Sequence, residues 1–98
     1  MELYMGMDFE YYDCRVREYN WNEKDHELTL YCLYQEKEKL KAVFKNAVRV
    51  KYLEVLPCHV IEYIKHTYDV NTDSMCYEVK CKDLVETATI WADKVLRS

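Results

Sequence analysis

Apolar side chains return at every second position through the middle of the chain, over residues 28–52. They occupy even numbers: Leu28, Leu30, Cys32, Tyr34, Leu40, Ala42, Phe44, Val48, Val50 and Tyr52. Because successive side chains of a strand point to opposite sides, this alternation is typical of a sheet with one buried face. The shared parity predicts that Leu30, Phe44 and Val50 are core residues on one face of that sheet.

Polar segments divide this pattern into separate strands. We predict strands at about 14–21, 27–34, 39–45, 48–54 and 75–81. The third and fourth can also form one strand that continues through Asn46, since the parity survives there. The turns between strands are polar, and the sequence contains no Asn-Gly or Asp-Gly pair for a tight two-residue hairpin.

Helical spacing replaces the alternation after Leu56. Pro57 suits the first position of a helix, where its missing N–H costs nothing. The apolar residues that follow would then lie on one helical face: Val60, Ile61, Ile64 and Tyr68. This segment therefore predicts a helix over about 57–68.

The last segment, residues 83–97, fits two interpretations. Asp83 and Glu86 have the spacing of a capping box, and apolar residues follow at helical intervals. Residues 87–91, however, favour a strand by composition. Periodicity favours the helix, and the strand remains an alternative.

The elements together predict one α+β domain, residues 1–98, in which an antiparallel sheet of four or five strands carries one or two helices on one face.

The odd positions of the predicted sheet form a face that is aromatic and basic. The chain has ten tyrosines and two tryptophans, more than a small core can hold. Tyrosine has an apolar ring and a polar tip, and it is common at protein interfaces. Because helices can cover only one side of the sheet, the other side is left for a partner. The candidate partner-binding residues are Tyr19, Trp21, Tyr31, Leu33, Lys39 and Lys41.

Charge is distributed unevenly along a chain whose net charge is −4. Residues 37–51 contain six bases and one acid, whereas residues 1–30 contain eight acids and three bases. Paired strands could balance these charges internally, and the net acidity argues against direct nucleic-acid binding.

We see no signal peptide and no apolar run of transmembrane length. The odd number of cysteines, five, favours free thiols in the cytoplasm.

Few enzyme classes fit this sequence. A single glycine excludes a P-loop and a dinucleotide-binding loop, and no G-x-S-x-G motif is present. We therefore predict neither catalytic residues nor a cofactor. The alternative is a metal-dependent module, because His59, Glu62 and His66 would share one sector of a helix that also carries Cys58. The same residues also fit the solvated side of an amphipathic helix.

Three segments resemble a layout found in small bacterial domains, among them immunity proteins of polymorphic toxin systems. They are Tyr12-Asp13-Cys14-Arg15-Val16, the strand at 27–34, and Val43-Phe44-Lys45-Asn46-Ala47-Val48. The resemblance implies a stoichiometric inhibitor that binds a protein and performs no catalysis. It also implies a final strand at Ile90-Trp91-Ala92-Asp93-Lys94-Val95.

These observations favour a small cytoplasmic protein-binding inhibitor. Its leading form is an immunity-type protein that neutralises a toxin, an effector or a nuclease. One alternative is a phage-encoded anti-defence protein whose acidic N-terminal segment imitates nucleic acid by charge. A second alternative is the metal-dependent module built on Cys58, His59, Glu62 and His66. The aromatic face could equally join two copies of the chain into a homodimer.

Overall fold

Alternating side-chain patterns extend through most of the chain, and they form strands. The computed structural model describes residues 5–98 and is nearly all sheet, with 64% strand and 3% helix. The strands within this range are β1 (Met5–Asp8), β2 (Cys14–Asn22), β3 (Glu27–Tyr34), β4 (Glu38–Lys45), β5 (Arg49–Lys51), β6 (Ile61–Asp69), β7 (Ser74–Cys81), β8 (Thr87–Ala92) and β9 (Lys94–Arg97). A short 3-10 helix, Leu53–Val55, follows β5. Residues 1–4, the start of the acidic N-terminal segment, lie outside the described range.

The strands form two antiparallel sheets around one core. The five-stranded sheet has the order β1-β6-β7-β8-β5, and the four-stranded sheet has the order β2-β3-β4-β9. Residues from both sheets are buried in this core, among them Leu28, Leu30, Phe44, Ile64, Val79 and Ile90. Phe44 of one sheet meets Tyr77 of the other edge to face, with 5.4 Å between ring centroids. Each sheet therefore turns one face inward and one face outward.

Backbone hydrogen bonds join the sheets at two corners. The N–H of Val16 in β2 donates to the carbonyl of His59 just before β6, at 2.9 Å, and the N–H of Cys58 donates to Val16 at 2.7 Å. At the other corner, Asp93 separates β8 from β9, and its N–H donates to the carbonyl of Lys45 in β4 at 2.9 Å. The chain thus crosses between the sheets without leaving these backbone groups unpaired.

The predicted helix over 57–68 is wrong, because β6 occupies most of that segment. Ile61 lies opposite Cys81 whereas Tyr63 lies opposite Lys80, so the strand contains a bulge at Glu62. A bulge adds one residue and shifts the inward positions of the strand by one. Ile61 and Ile64 are therefore both buried although they are three residues apart. This spacing imitates the period of a helix.

The α+β prediction is also wrong at residues 83–97, where the chain forms β8 and β9. Ala88, Ile90 and Ala92 alternate inward along β8 and are fully buried. The strand interpretation of this segment is therefore correct. Asp83 caps no helix and instead lies within hydrogen-bonding distance of His59. Within residues 5–98, no helix has the length and apolar character needed to cross a membrane.

The even parity is confirmed through β3 and β4, where Leu30 and Phe44 are fully buried. It fails after Asn46, a residue with a left-handed φ of 53° at which the chain leaves the four-stranded sheet. Val48 and Tyr52 are exposed. Of the predicted strand at 48–54, only β5 is a strand, and the 3-10 helix begins at Leu53. Val50 is half-buried and belongs to the five-stranded sheet, so it does not share a sheet face with Leu30 and Phe44.

Candidate protein interface

The side of the four-stranded sheet that faces away from the core is called the outer face here. Strand pairing determines its rows. Leu33 of β3 lies opposite Lys39 of β4, and Tyr31 lies opposite Lys41. Side chains of directly opposed residues stand about 5 Å apart on the same side of a sheet. Four of the predicted partner-binding residues are therefore neighbours: Tyr31, Leu33, Lys39 and Lys41.

Apolar side chains cross the outer face from strand to strand. Leu33 and Tyr31 of β3 are half-buried, and so is Val43 of β4. Val43 in turn lies opposite Leu96 of β9, whose exposed fraction is 45%. These four residues form the apolar ridge of the outer face. Lys39 and Lys41 are exposed beside it.

A groove of about 410 Å³ opens beside Tyr31. It is lined by Arg17, Tyr31, Cys32, Lys39, Leu40, Lys41 and Ser98. Its side chains include three cations and no carboxylate, and Ser98 contributes its terminal main-chain carboxylate. Arg17 reaches the groove from a bulge in β2, where Val16 lies opposite Cys32 and the following residue, Glu18, lies opposite Tyr31.

Two other bases of the outer face are neutralised within the molecule. Arg15 donates two hydrogen bonds of 2.7 Å to the carboxylate of Glu36, which lowers the pKa of Glu36. Lys45 forms an ion pair with Glu27, the residue directly opposite it. None of the ion pairs found among residues 5–98 involves the three cations that line the groove.

Tyr19 and Trp21 do not join this surface, contrary to the sequence prediction. The bulge at Arg17 shifts the parity of β2, so that Tyr19 lies opposite Leu30 and Trp21 lies opposite Leu28. Both rings are half-buried and pack against the core. Glu18 and Asn20 occupy the outward positions in their place. We predicted Tyr19 and Trp21 on the outward face because we treated β2 as a regular strand. Nothing in the sequence indicates that Arg17 is the extra residue of a bulge.

Three residues of the surface were missed from the sequence: Arg17, Val43 and Leu96. Val43 has the same odd parity as Tyr31, and that signal was sufficient to find it. Leu96 could not be placed because residues 83–97 were predicted as a helix. Arg17 joins the groove only through the bulge.

The residues of the proposed metal module are not brought together. Cys58 is exposed, and His59 Nδ1 lies 3.0 Å from Asp83 Oδ1, a contact that lowers the pKa of Asp83. His66 stands against the single glycine, Gly6, where an added Cβ would be 2.8 Å from its ring. Across residues 5–98, no group of three or more His, Cys, Asp or Glu side chains could hold a metal ion. The alternative required the helix at 57–68, which is absent.

Two acidic residues near the N-terminus have basic partners within the fold. Asp13 forms an ion pair with Lys82, and Glu10 lies 3.4 Å from Arg97. A mimic of nucleic acid requires a row of uncompensated carboxylates, and these two acids are compensated.

All five cysteines are free thiols, and three of them are buried in the core: Cys14, Cys32 and Cys81. Burial raises the pKa of Cys32 to about 12 and that of Cys81 to about 11. Because the thiolate is the reactive form, these two groups are inert at neutral pH.

No protein-family model, no curated protein and no solved structure matches this chain. The resemblance to immunity proteins therefore depends on the three sequence segments alone.

Proposed function

We propose that this protein is a small inhibitor that binds an acidic surface of another protein through its outer face. The observation that carries the proposal is the apolar ridge of Leu33, Tyr31, Val43 and Leu96 beside exposed lysines. An aromatic and aliphatic centre with a charged rim is the usual composition of a protein interface. Catalysis is not part of the proposal.

Charge complementarity determines the kind of partner. The cations beside Tyr31 form no ion pairs with acidic side chains among the described residues. An acidic surface of a partner could therefore form ion pairs with them. A toxin or effector with such a surface fits the immunity-type function implied by the sequence resemblance. The five free thiols agree with a cytoplasmic site of action, which belongs to the same proposal.

A second copy of the chain is a poorer occupant of this surface. In a two-fold dimer the same patch meets itself, so Lys39 and Lys41 of one copy would approach those of the other. Like charges at an interface oppose association. Sedimentation of the purified protein tests this directly, and a dimer that dissociates on the Tyr31→Ala substitution would replace the proposed partner with a second copy.

The test begins by capturing partners from the source cells on the immobilised protein and producing the captured protein separately. The two purified proteins should bind each other, and the captured protein should lose its activity in a stoichiometric complex. Tyr31→Ala should weaken binding at least about thirtyfold, the effect of removing a central residue that contributes about 2 kcal/mol. Tyr68→Ala is the matched control, because Tyr68 is an exposed tyrosine of the five-stranded sheet.

Two results would contradict the proposal. One is a purified pair that binds equally well with Tyr31→Ala and with Tyr68→Ala, since the interface would then lie elsewhere. The other is a complex in which the partner stays fully active, since the protein would then bind without inhibiting.

A further inference from the structure

We infer that the groove beside Tyr31 binds a carboxylate of the partner, supplied by an Asp or Glu side chain of an acidic segment. This inference rests on the proposed function and names the chemical group that the outer face recognises. It is carried by three cations that surround one groove without an acidic side chain among its lining residues.

The cations approach the groove from two strands on either side of β3. Lys39 and Lys41 are two residues apart on β4, so both point outward and stand about 7 Å from each other. Arg17 comes from the bulge of β2, on the far side of Tyr31. The guanidinium of arginine can donate two parallel hydrogen bonds to one carboxylate, and each lysine adds a point charge.

The cations of this groove form no internal ion pairs, whereas two other bases of the same face do. Arg15 and Lys45 lie on the same outer face, and each forms an ion pair with a glutamate. Arg17, Lys39 and Lys41 take part in none of the ion pairs seen in residues 5–98. Three like charges around one space repel one another, the terminal carboxylate of Ser98 offsets only one of them, and a bound carboxylate would reduce the repulsion that remains.

A protein carboxylate fits the groove better than a nucleic-acid backbone does. Binding of single-stranded nucleic acid uses a basic track and several aromatic rings on which bases stack, whereas the ridge contains one ring, that of Tyr31. Glu18 lies directly opposite Tyr31, and Glu27 lies on the same face. Glu27 is paired with Lys45, but the carboxylate of Glu18 would repel an extended row of phosphates while leaving room for a single anionic side chain.

The test titrates the isotopically labelled protein with an acetylated and amidated hexapeptide of glutamate, followed by NMR. The amide signals of Tyr31, Leu33, Lys39 and Lys41 should shift, and the shifts should diminish as salt is added. A hexapeptide of glutamine, with the same length and no charge, should leave them in place.

The double variant Lys39→Ala/Lys41→Ala should bind the glutamate peptide at least about tenfold more weakly, because two of the three cations are gone. Its charge-matched control is Lys51→Ala/Lys65→Ala on the five-stranded sheet, which should bind as the wild type does. Both variants replace lysines that face outward, and thermal melts verify that each remains folded.

Three outcomes would overturn the inference. Equal weakening by both double variants would indicate a general charge effect, and tighter binding of an oligothymidylate than of the peptide would indicate a nucleic-acid site. In the third, the purified partner loses affinity with Tyr31→Ala but binds Lys39→Ala/Lys41→Ala normally. The carboxylate site would then be wrong while the proposed function stands.

Discussion

Tyr11 is a fully buried residue whose hydroxyl has no hydrogen-bond partner among the described residues. In the unfolded chain that hydroxyl would bond to water, so its burial costs free energy. We expect Tyr11→Phe to raise the free energy of unfolding by about 1 kcal/mol, measured by urea denaturation.

Tyr77→Phe is the matched control for that substitution. Tyr77 is also a buried tyrosine, but the backbone N–H of Val95 is directed at its oxygen and opposes the rise in pKa that burial causes. Removing this oxygen should lower the free energy of unfolding by about 1 kcal/mol. Equal losses in the two variants would show that the hydroxyl of Tyr11 is satisfied.

At the scale of the strands, two bulges explain the errors at residues 57–68 and at Tyr19 and Trp21. β3 and β4 are regular, so parity alone located Leu30 and Phe44 inside and Tyr31, Leu33, Lys39 and Lys41 outside. A bulge depends on how a strand pairs with its neighbour, and no residue type marks it in the sequence. The bulge of β6 made a strand resemble a helix, and the bulge of β2 moved two aromatic rings from the predicted interface to the core.

The bulge of β2 can be tested by deleting Arg17. Without it, Val16 and Glu18 become neighbours opposite Cys32 and Tyr31, so the rest of β2 keeps its partners and its inward and outward faces. Because a regular strand then replaces the bulged one, we expect the domain to stay folded and to lose no more than about 3 kcal/mol. The measurement is the dispersion of amide NMR signals together with a thermal melt.

Deletion of Val85 is the control for that experiment. Val85 is 92% exposed in the loop between β7 and β8, where a shorter connection leaves the strand pairing intact. This variant should remain folded. If the deletion of Arg17 instead unfolds the domain while the deletion of Val85 does not, Arg17 is not the extra residue of β2 and the bulge is wrong.

At the scale of the whole molecule, positive charge is concentrated at the groove although the protein as a whole is acidic. The net charge is −4, yet three cations meet beside Tyr31 without an acidic side chain in the lining of the groove. A field of this kind orients an approaching acidic partner toward the outer face and speeds association. The overall net charge, which argued against direct nucleic-acid binding, could not reveal this local preference for an anionic group.

The stability of the whole domain should decrease in alkaline solution, because folding buries thiols in their neutral form. Burial raises the pKa of Cys32 from 9.0 to about 12, so the unfolded chain loses this proton at a lower pH than the folded protein does. Stability from this group is complete below about pH 9 and decreases above it by up to about 1.4 kcal/mol per pH unit. We expect Cys32→Ala to flatten this decrease in urea denaturation under reducing conditions, whereas Cys58→Ala, at an exposed position, should keep the wild-type slope. Identical slopes in the two variants would show that the Cys32 thiol titrates alike in the folded and unfolded chains.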